Sequence, residues 1–229
     1  MPSVRIPGFT PQGSGFRFAN DFPHVPLRNI GVPGVVSVPI GDAANGLCGG
    51  MAFAARDYFE AHRTPPPDTD APGSGPLYDY LVRRLIDSFS LPAGPLRYLE
   101  LMNPALPDGE SFLSRLGLIP HGRAWRMIRQ EFPKVRADLD SGHPSPLGMV
   151  EVKSLDPFRL GENHQVLAYG YDLDGDALAL HVYDPNWPGR DVTMSFPVGD
   201  PNHPLAVTYD PATAVFAFFR VDYRASSPP

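Results

Sequence analysis

The chain has one cysteine in 229 residues, and that scarcity excludes whole classes of protein. A single thiol forms no intramolecular disulfide and builds no multi-thiolate zinc site. Long apolar runs are missing as well: nothing approaches the roughly 20 consecutive apolar residues a membrane-spanning helix requires. The opening residues, "MPSVRIPGFTPQGSGF", lack the apolar core of a secretory signal. Positive charge is in short supply. Lys and Arg number 19 against 25 Asp and Glu, a net charge of −6 that offers no general attraction to nucleic acid or acidic membrane. Together these absences read as a soluble, cytoplasmic protein that engages neither nucleic acid nor membrane, with leaderless secretion as an effector left open.

Proline is abundant, at 29 residues, with 22 glycines dispersed among them. Without a period, they mean irregular connections around a folded core instead of collagen or a disordered tail. Hydrophobic content of 42% is ordinary for a globular protein, and the length suffices for a sizeable core. Residues 1–44 read as a proline-rich arm packed on the domain. From Cys48, Met51, Ala55, Tyr58 and Phe59 recur three and four apart, predicting a helix that ends near His62. "RTPPPDTDAPGSGP" breaks it as a loop.

Three further helical segments follow: "PLYDYLVRRLIDSF", a short one in "DGESFLSRLG" with Asp108 as a candidate cap, and "GRAWRMIRQEFPKVRADLDSG". Pro133 should kink or end the last. Arg123, Arg126 and Arg129, at helical spacing, read as a solvated face and not as an anion-binding patch. After Gly142 the pattern turns to strands in "PLGMVEVKS", "HQVLAYGY", "ALALHVYDP", "DVTMSFP" and "AVFAFFRVD", with "DLDGD" as a hairpin turn. Helices over 45–142 followed by mostly antiparallel strands over 143–224 predict a single α+β domain across 1–229.

The cysteine stands in "NGLCGGMAFAARDYF", where the helical pattern starts. A thiol attacks only as thiolate, and a free one ionises near pH 8.5. A helix N-terminus and a neighbouring imidazolium both favour the anion. Asn45 or Gly46 can cap this helix, and Gly49 and Gly50 add no side chains to block an approaching substrate. The competing reading is a small buried hydrophobe, which most free cysteines are.

A base decides between the two. Of seven histidines, His24, His143 and His203 lie in proline-rich turns, His62 ends a helix, His121 precedes one, and His181 lies within a strand. His164 opens the strand "HQVLAYGY", rigidly held yet at the strand's mouth. The returning strand ends in "VYDP", and a hairpin sets the start of one strand beside the end of the next. Asp184 is thereby expected beside His164, in the place of a third group that orients the imidazole.

These residues resemble the papain-like cysteine peptidase superfamily, in the order cysteine at a helix start, histidine opening a strand, and Asp or Asn on the following strand. The hairpin "HQVLAYGYDLDGDALALHVYDPNWPG" is most similar to the branch of bacteriocin-processing peptidases that cut after double-glycine leaders. The resemblance covers about 45–62 and 146–190. It implies a papain-like fold with Cys48 as nucleophile, His164 as general base and acid, Asp184 as its orienting partner, and a peptide or protein as substrate. Two departures stand out. The family's oxyanion glutamine, six residues before the cysteine, is here Asp42, leaving Asn45 as a weak substitute and Asn20 and Gln12 as weaker ones. "DPNW" also offers Asn186 as an alternative third member, with Trp187 as a cover for the site or a core residue.

The expected activity is hydrolysis of a peptide or amide through a thioester, with no cofactor. Two alternatives remain: a transglutaminase-like acyl transfer, and a weak or inactive fold that binds a peptide or protein partner, favoured by Asp42. A metal site from His164, His181 and Asp184 is disfavoured because residues three apart on a strand face opposite sides.

Overall fold

Val, Tyr and Phe crowd the second half of the chain, and there the backbone forms the sheet that the alternation predicts. The computed structural model describes residues 2–23 and 46–229. Among these, strands β1 (Ser3–Arg5), β2 (Ser145–Val150), β3 (His164–Asp174), β4 (Ala177–Tyr183), β5 (Val192–Pro197), β6 (Thr208–Asp210) and β7 (Ala217–Arg220) form one antiparallel sheet. Its order is β6-β5-β4-β3-β2-β7, with β1 off this path on β3. Strand β3 is long enough to be shared along one edge: β2 pairs with its first half, from His164 to Ala168, and β1 with Gly170 to Asp172. The protein is therefore α+β, with helices from the first half and an antiparallel sheet from the second.

The β3–β4 hairpin turns at Gly175, whose φ of +58° only glycine adopts without strain. From that turn the register runs through Asp174↔Ala177 to Gly170↔His181. It then shifts by one residue, so that Ala168 faces Val182 and Leu167 faces Tyr183. Tyr169 is the extra residue of a β-bulge, held by a hydrogen bond from the Ile6 N–H to its carbonyl and by stacking on Phe9. The N-terminal segment is thus part of the sheet. Its Phe9, Phe16, Phe18 and Phe22 are all buried in the core.

Helix α1 (Pro11–Ser14) is a single turn capped by the Thr10 hydroxyl. Helices α2 (Cys48–Glu60) and α3 (Pro76–Ser88) follow the predicted spans, and Pro76 supplies the fixed φ suited to a first helical turn. Helix α4 (Ala93–Met102) escaped the sequence pattern, because Gly94 and Pro95 break the periodicity in its first turn, where proline costs no hydrogen bond. Strands β1 and β6 escaped it because three residues are too few to show alternation.

Three local expectations are corrected. Asp108 does not cap the short helix α5 (Phe112–Arg115); Ser111 does, in a reciprocal pair with Ser114, while Asp108 accepts from Arg123 and Lys153. Of the kink or end expected at Pro133, the end does not occur, and the helical run continues through it. Between α6 (Arg123–Trp125) and α7 (Phe132–Asp140) the chain runs as a π-helix, Arg126–Glu131, and the wider turn accommodates the N–H that proline lacks. Arg123 is not solvated: it is 1% exposed, and its guanidinium donates to the carbonyls of Leu101, Asn103 and Leu106. Of these, the Leu101 carbonyl lies in the last turn of α4, where a helix leaves its own carbonyls unpaired.

The glycines after Cys48 are there for packing. A Cβ on Gly50 would stand 2.1 Å from the Leu81 carbonyl oxygen of α3, and one on Gly49 would stand 2.3 Å from Ser88 Oγ and 2.8 Å from Gln165 Oε1. These contacts let α2 lie directly on α3 and reach β3, a different reason from the open approach read from the sequence. Two turns further on, Asp57, 2% exposed, accepts from Tyr80, Arg84, Tyr223 and the Ser226 N–H. Arg84 also donates to the Arg224 carbonyl. This buried ion pair ties α2, α3 and the C-terminal segment into one unit.

Two substitutions test this packing by urea unfolding. Gly50→Ala is expected to cost about 3 kcal/mol, since backbone and not a flexible side chain opposes the new methyl. Asp57→Ala is expected to cost about 3 kcal/mol, because Arg84 loses its buried partner and keeps only the half-exposed Asp87.

Candidate functional site

Cys48 is the first residue of α2, with Leu47 as a cap residue that makes no side-chain capping bond. The N–H groups of a first helical turn have no carbonyl partner within the helix. Cys48 is 9% exposed. Its neighbours include the His164 ring, whose positive form the nearby sulfur favours.

His164 opens β3, as the sequence indicates, and its Nε2 stands 2.7 Å from Asp184 Oδ1. With Nε2 committed there, Nδ1 is the ring nitrogen left for Cys48. The Tyr98 hydroxyl donates to the His164 carbonyl at 3.2 Å, which holds the strand's mouth against α4.

The bulge at Tyr169 determines that Asp184 meets the histidine at all. Continuing the register set by the turn would place Asp184 opposite Leu167, on the face away from His164. The one-residue shift places it level with Val166, and residues 164 and 166 share a face. A plain hairpin would have brought the two residues near one another and pointed them apart.

Asp184 is 1% exposed and its carboxylate is fully occupied. Oδ1 also accepts the Asn186 N–H at 2.8 Å, and Oδ2 accepts the Tyr209 hydroxyl at 2.5 Å. Burial works against its charge, but the facing His164, the Tyr209 hydroxyl and the Asn186 N–H outweigh it and hold the pKa below the ordinary 3.8. For His164 burial likewise opposes the charge. Cys48 and Asp184 overcome it and hold the ring's pKa well above 6.5. Glu151, just past β2, is pushed up by burial and by Asp184, with His164 opposing, which adds a second carboxyl to the surroundings of the ring.

Tyr209 belongs to the site and was not anticipated. It lies on β6, inside a proline-rich stretch that reads as a loop, and only strand pairing across β5 carries it to Asp184. Asn186, the alternative expected beside the histidine, donates its backbone N–H to Asp184, and its side-chain oxygen accepts from Asn20 at 3.1 Å. Trp187 is 42% exposed, with Arg190 over its ring, so it is no core residue. Gln12 spends its amide on the Gly189 carbonyl at 2.6 Å. Asn45 and Asp42 lie outside the described residues.

His181 is engaged elsewhere, with Asp172 at 2.9 Å and Asp191 at 3.4 Å, separate from the His164–Asp184 pair. Among the described residues no group of three or more His, Cys, Asp or Glu side chains could hold a metal ion, and no helix is long and apolar enough to cross a membrane. The chain matches no known family model, no curated protein and no solved structure.

Because the folded pKa of Asp184 is depressed, the stability it contributes is present above its unfolded value, near pH 4, and is lost as pH falls through the folded value. The difference in unfolding free energy between the wild type and Asp184→Asn is therefore expected to shrink as pH falls below about 4. Urea titrations at a series of pH values read this directly.

Proposed function

We propose that the protein is a papain-like cysteine hydrolase, a peptidase or amidase that works through a thioester on Cys48. The observation that carries the reading is a single one: His164 is bonded to Asp184 through Nε2 while Cys48, at a helix N-terminus, acts on the same ring. Nucleophile, base and orienting acid are thereby in series.

In this reading the Cys48 sulfur, as thiolate, attacks the carbonyl carbon of an amide. The developing oxyanion meets the free N–H groups of the first turn of α2. His164, carrying the proton, delivers it to the departing nitrogen as the C–N bond breaks, leaving a thioester. Water then attacks that carbonyl, gives its proton to His164, and the C–S bond breaks to release the acid and restore the thiolate beside the protonated ring. Asp184 stays ionised throughout. It holds the ring's orientation and supports its positive form, and Tyr209 and the Asn186 N–H in turn hold Asp184. Peptide or protein substrates follow from the family resemblance, and the resemblance to double-glycine leader peptidases makes such a leader the first sequence to offer.

The test uses the single thiol. Iodoacetamide is expected to alkylate native Cys48 at pH 6 at least about ten-fold faster than free cysteine, and His164→Ala should remove that excess. A nitrophenyl ester should give a burst of nitrophenolate and an acyl adduct by intact mass, absent in Cys48→Ala. Labelling only after the chain is unfolded would make Cys48 a core residue and end the hydrolase reading.

A further inference from the structure

The structure assigns Asn20 as a positioning residue that locks the peptide preceding Cys48 to the loop carrying Asp184. Its side chain bridges two parts of the chain far apart in sequence. Asn20 Oδ1 accepts the Leu47 N–H at 2.5 Å, and Nδ2 donates to Asn186 Oδ1 at 3.1 Å. The Asn20 N–H adds a third bond, to the Pro185 carbonyl at 3.0 Å. Asn186 in turn donates its own N–H to Asp184 Oδ1 at 2.8 Å. An unbroken path of hydrogen bonds and short covalent links therefore runs from the orienting carboxylate through Asn186 and Asn20 to Leu47, whose next residue is Cys48.

Gly46 is built around this contact. Its φ is +83°, a conformation only glycine holds without strain, and a Cβ there would fall 2.2 Å from Asn20 Nδ2. The Leu47 carbonyl opens the helix by accepting the Met51 N–H at 2.9 Å. Asn20 on the N–H side and α2 on the carbonyl side thus hold Leu47 from both ends. The amide of Asn20 is suited to this task because it accepts and donates from one rigid plane. An aspartate would accept from Leu47 but turn a second oxygen toward Asn186 Oδ1. Asn20 touches no reacting atom here. It acts through the two groups it joins, fixing the distance between the helix that presents the thiol and the loop that orients the base.

This assignment rests on the hydrolase reading for its consequence, but the clamp itself can be measured apart from it. Amide hydrogen exchange and the pH profile of Cys48 alkylation are to be followed in the full chain, in wild type, Asn20→Ala and Asn186→Ala. Asn20→Ala is expected to speed exchange at Leu47 by about ten-fold, loosen 184–187 in the same step, and lower the alkylation rate at pH 6 by about ten-fold. Asn186→Ala, which severs one end only, should loosen 184–187 and leave Leu47 protected. It carries the test should Asn20→Ala fail to fold. A folded Asn20→Ala with wild-type exchange at Leu47 and an unchanged alkylation profile overturns the assignment, as does an Asn186→Ala that leaves 184–187 as protected as before. If the wild type alkylates like free cysteine while Asn20→Ala still loosens both segments, the clamp stands and the hydrolase reading fails.

Discussion

Everything at the candidate site depends on how closely α2 approaches its neighbours. A helix can bring its backbone against a facing carbonyl only where it has no side chain, and Gly50 provides that position over Leu81. Gly49 does the same toward Ser88 and Gln165. The gain is geometric. The first turn of α2 comes down beside the mouth of β3, and the residue immediately before these glycines is Cys48. Larger residues at either position would lift the helix, and the sulfur with it, off the histidine. The buried Asp57–Arg84 pair then keeps the two helices from sliding, since both charges are sealed from water, and Arg84 reaches its other carboxylate, Asp87, on its own helix.

The sheet contributes the second constraint, and it is a matter of one residue. In an antiparallel pair the face a side chain occupies depends on register alone, so an extra residue on one strand moves everything beyond it to the opposite face of the partner. The bulge at Tyr169 performs this shift between the turn and the site. The N-terminal segment supports it, through β1 pairing beside it and Phe9 against the Tyr169 ring. The same segment contributes Asn20 farther along. What reads as a proline-rich arm therefore supports the site at two points, by fixing the register that aims Asp184 and by tying Leu47 to the loop beyond it.

The electrostatic arrangement follows from this geometry. His164, Asp184 and Tyr209 are all buried, and each would be costly in isolation. Assembled, the carboxylate accepts from three donors, and the imidazole has an acid on one side and a thiol on the other. The burial that disfavours charge also excludes the water that would weaken these contacts. The site is thus a small polar network inside an apolar core, satisfied chiefly by its own members.

Much of this was legible in the chain without a structure. The periodicity after Cys48, the alternating runs from residue 145 onward and the Gly175 turn are local signals, carried by neighbours in sequence, and they determined the α2, β3 and β4 elements and so the α+β class. They also singled out Cys48, His164 and Asp184, because a helix start, a strand start and a strand end are all readable positions. What depended on distant partners was not readable. Three-residue strands such as β6 exist only because a neighbour pairs with them, so Tyr209 was hidden. The π-helix ahead of Pro133 and the buried carbonyl-capping role of Arg123 need the surrounding carbonyls to be in place. The bulge, the packing role of Gly49 and Gly50, and the pairing of Asp184 with His164 were likewise decided by tertiary structure. Sequence sets which backbone each segment prefers; which side chains then share one face and one distance is settled by packing between segments that the order of residues does not display.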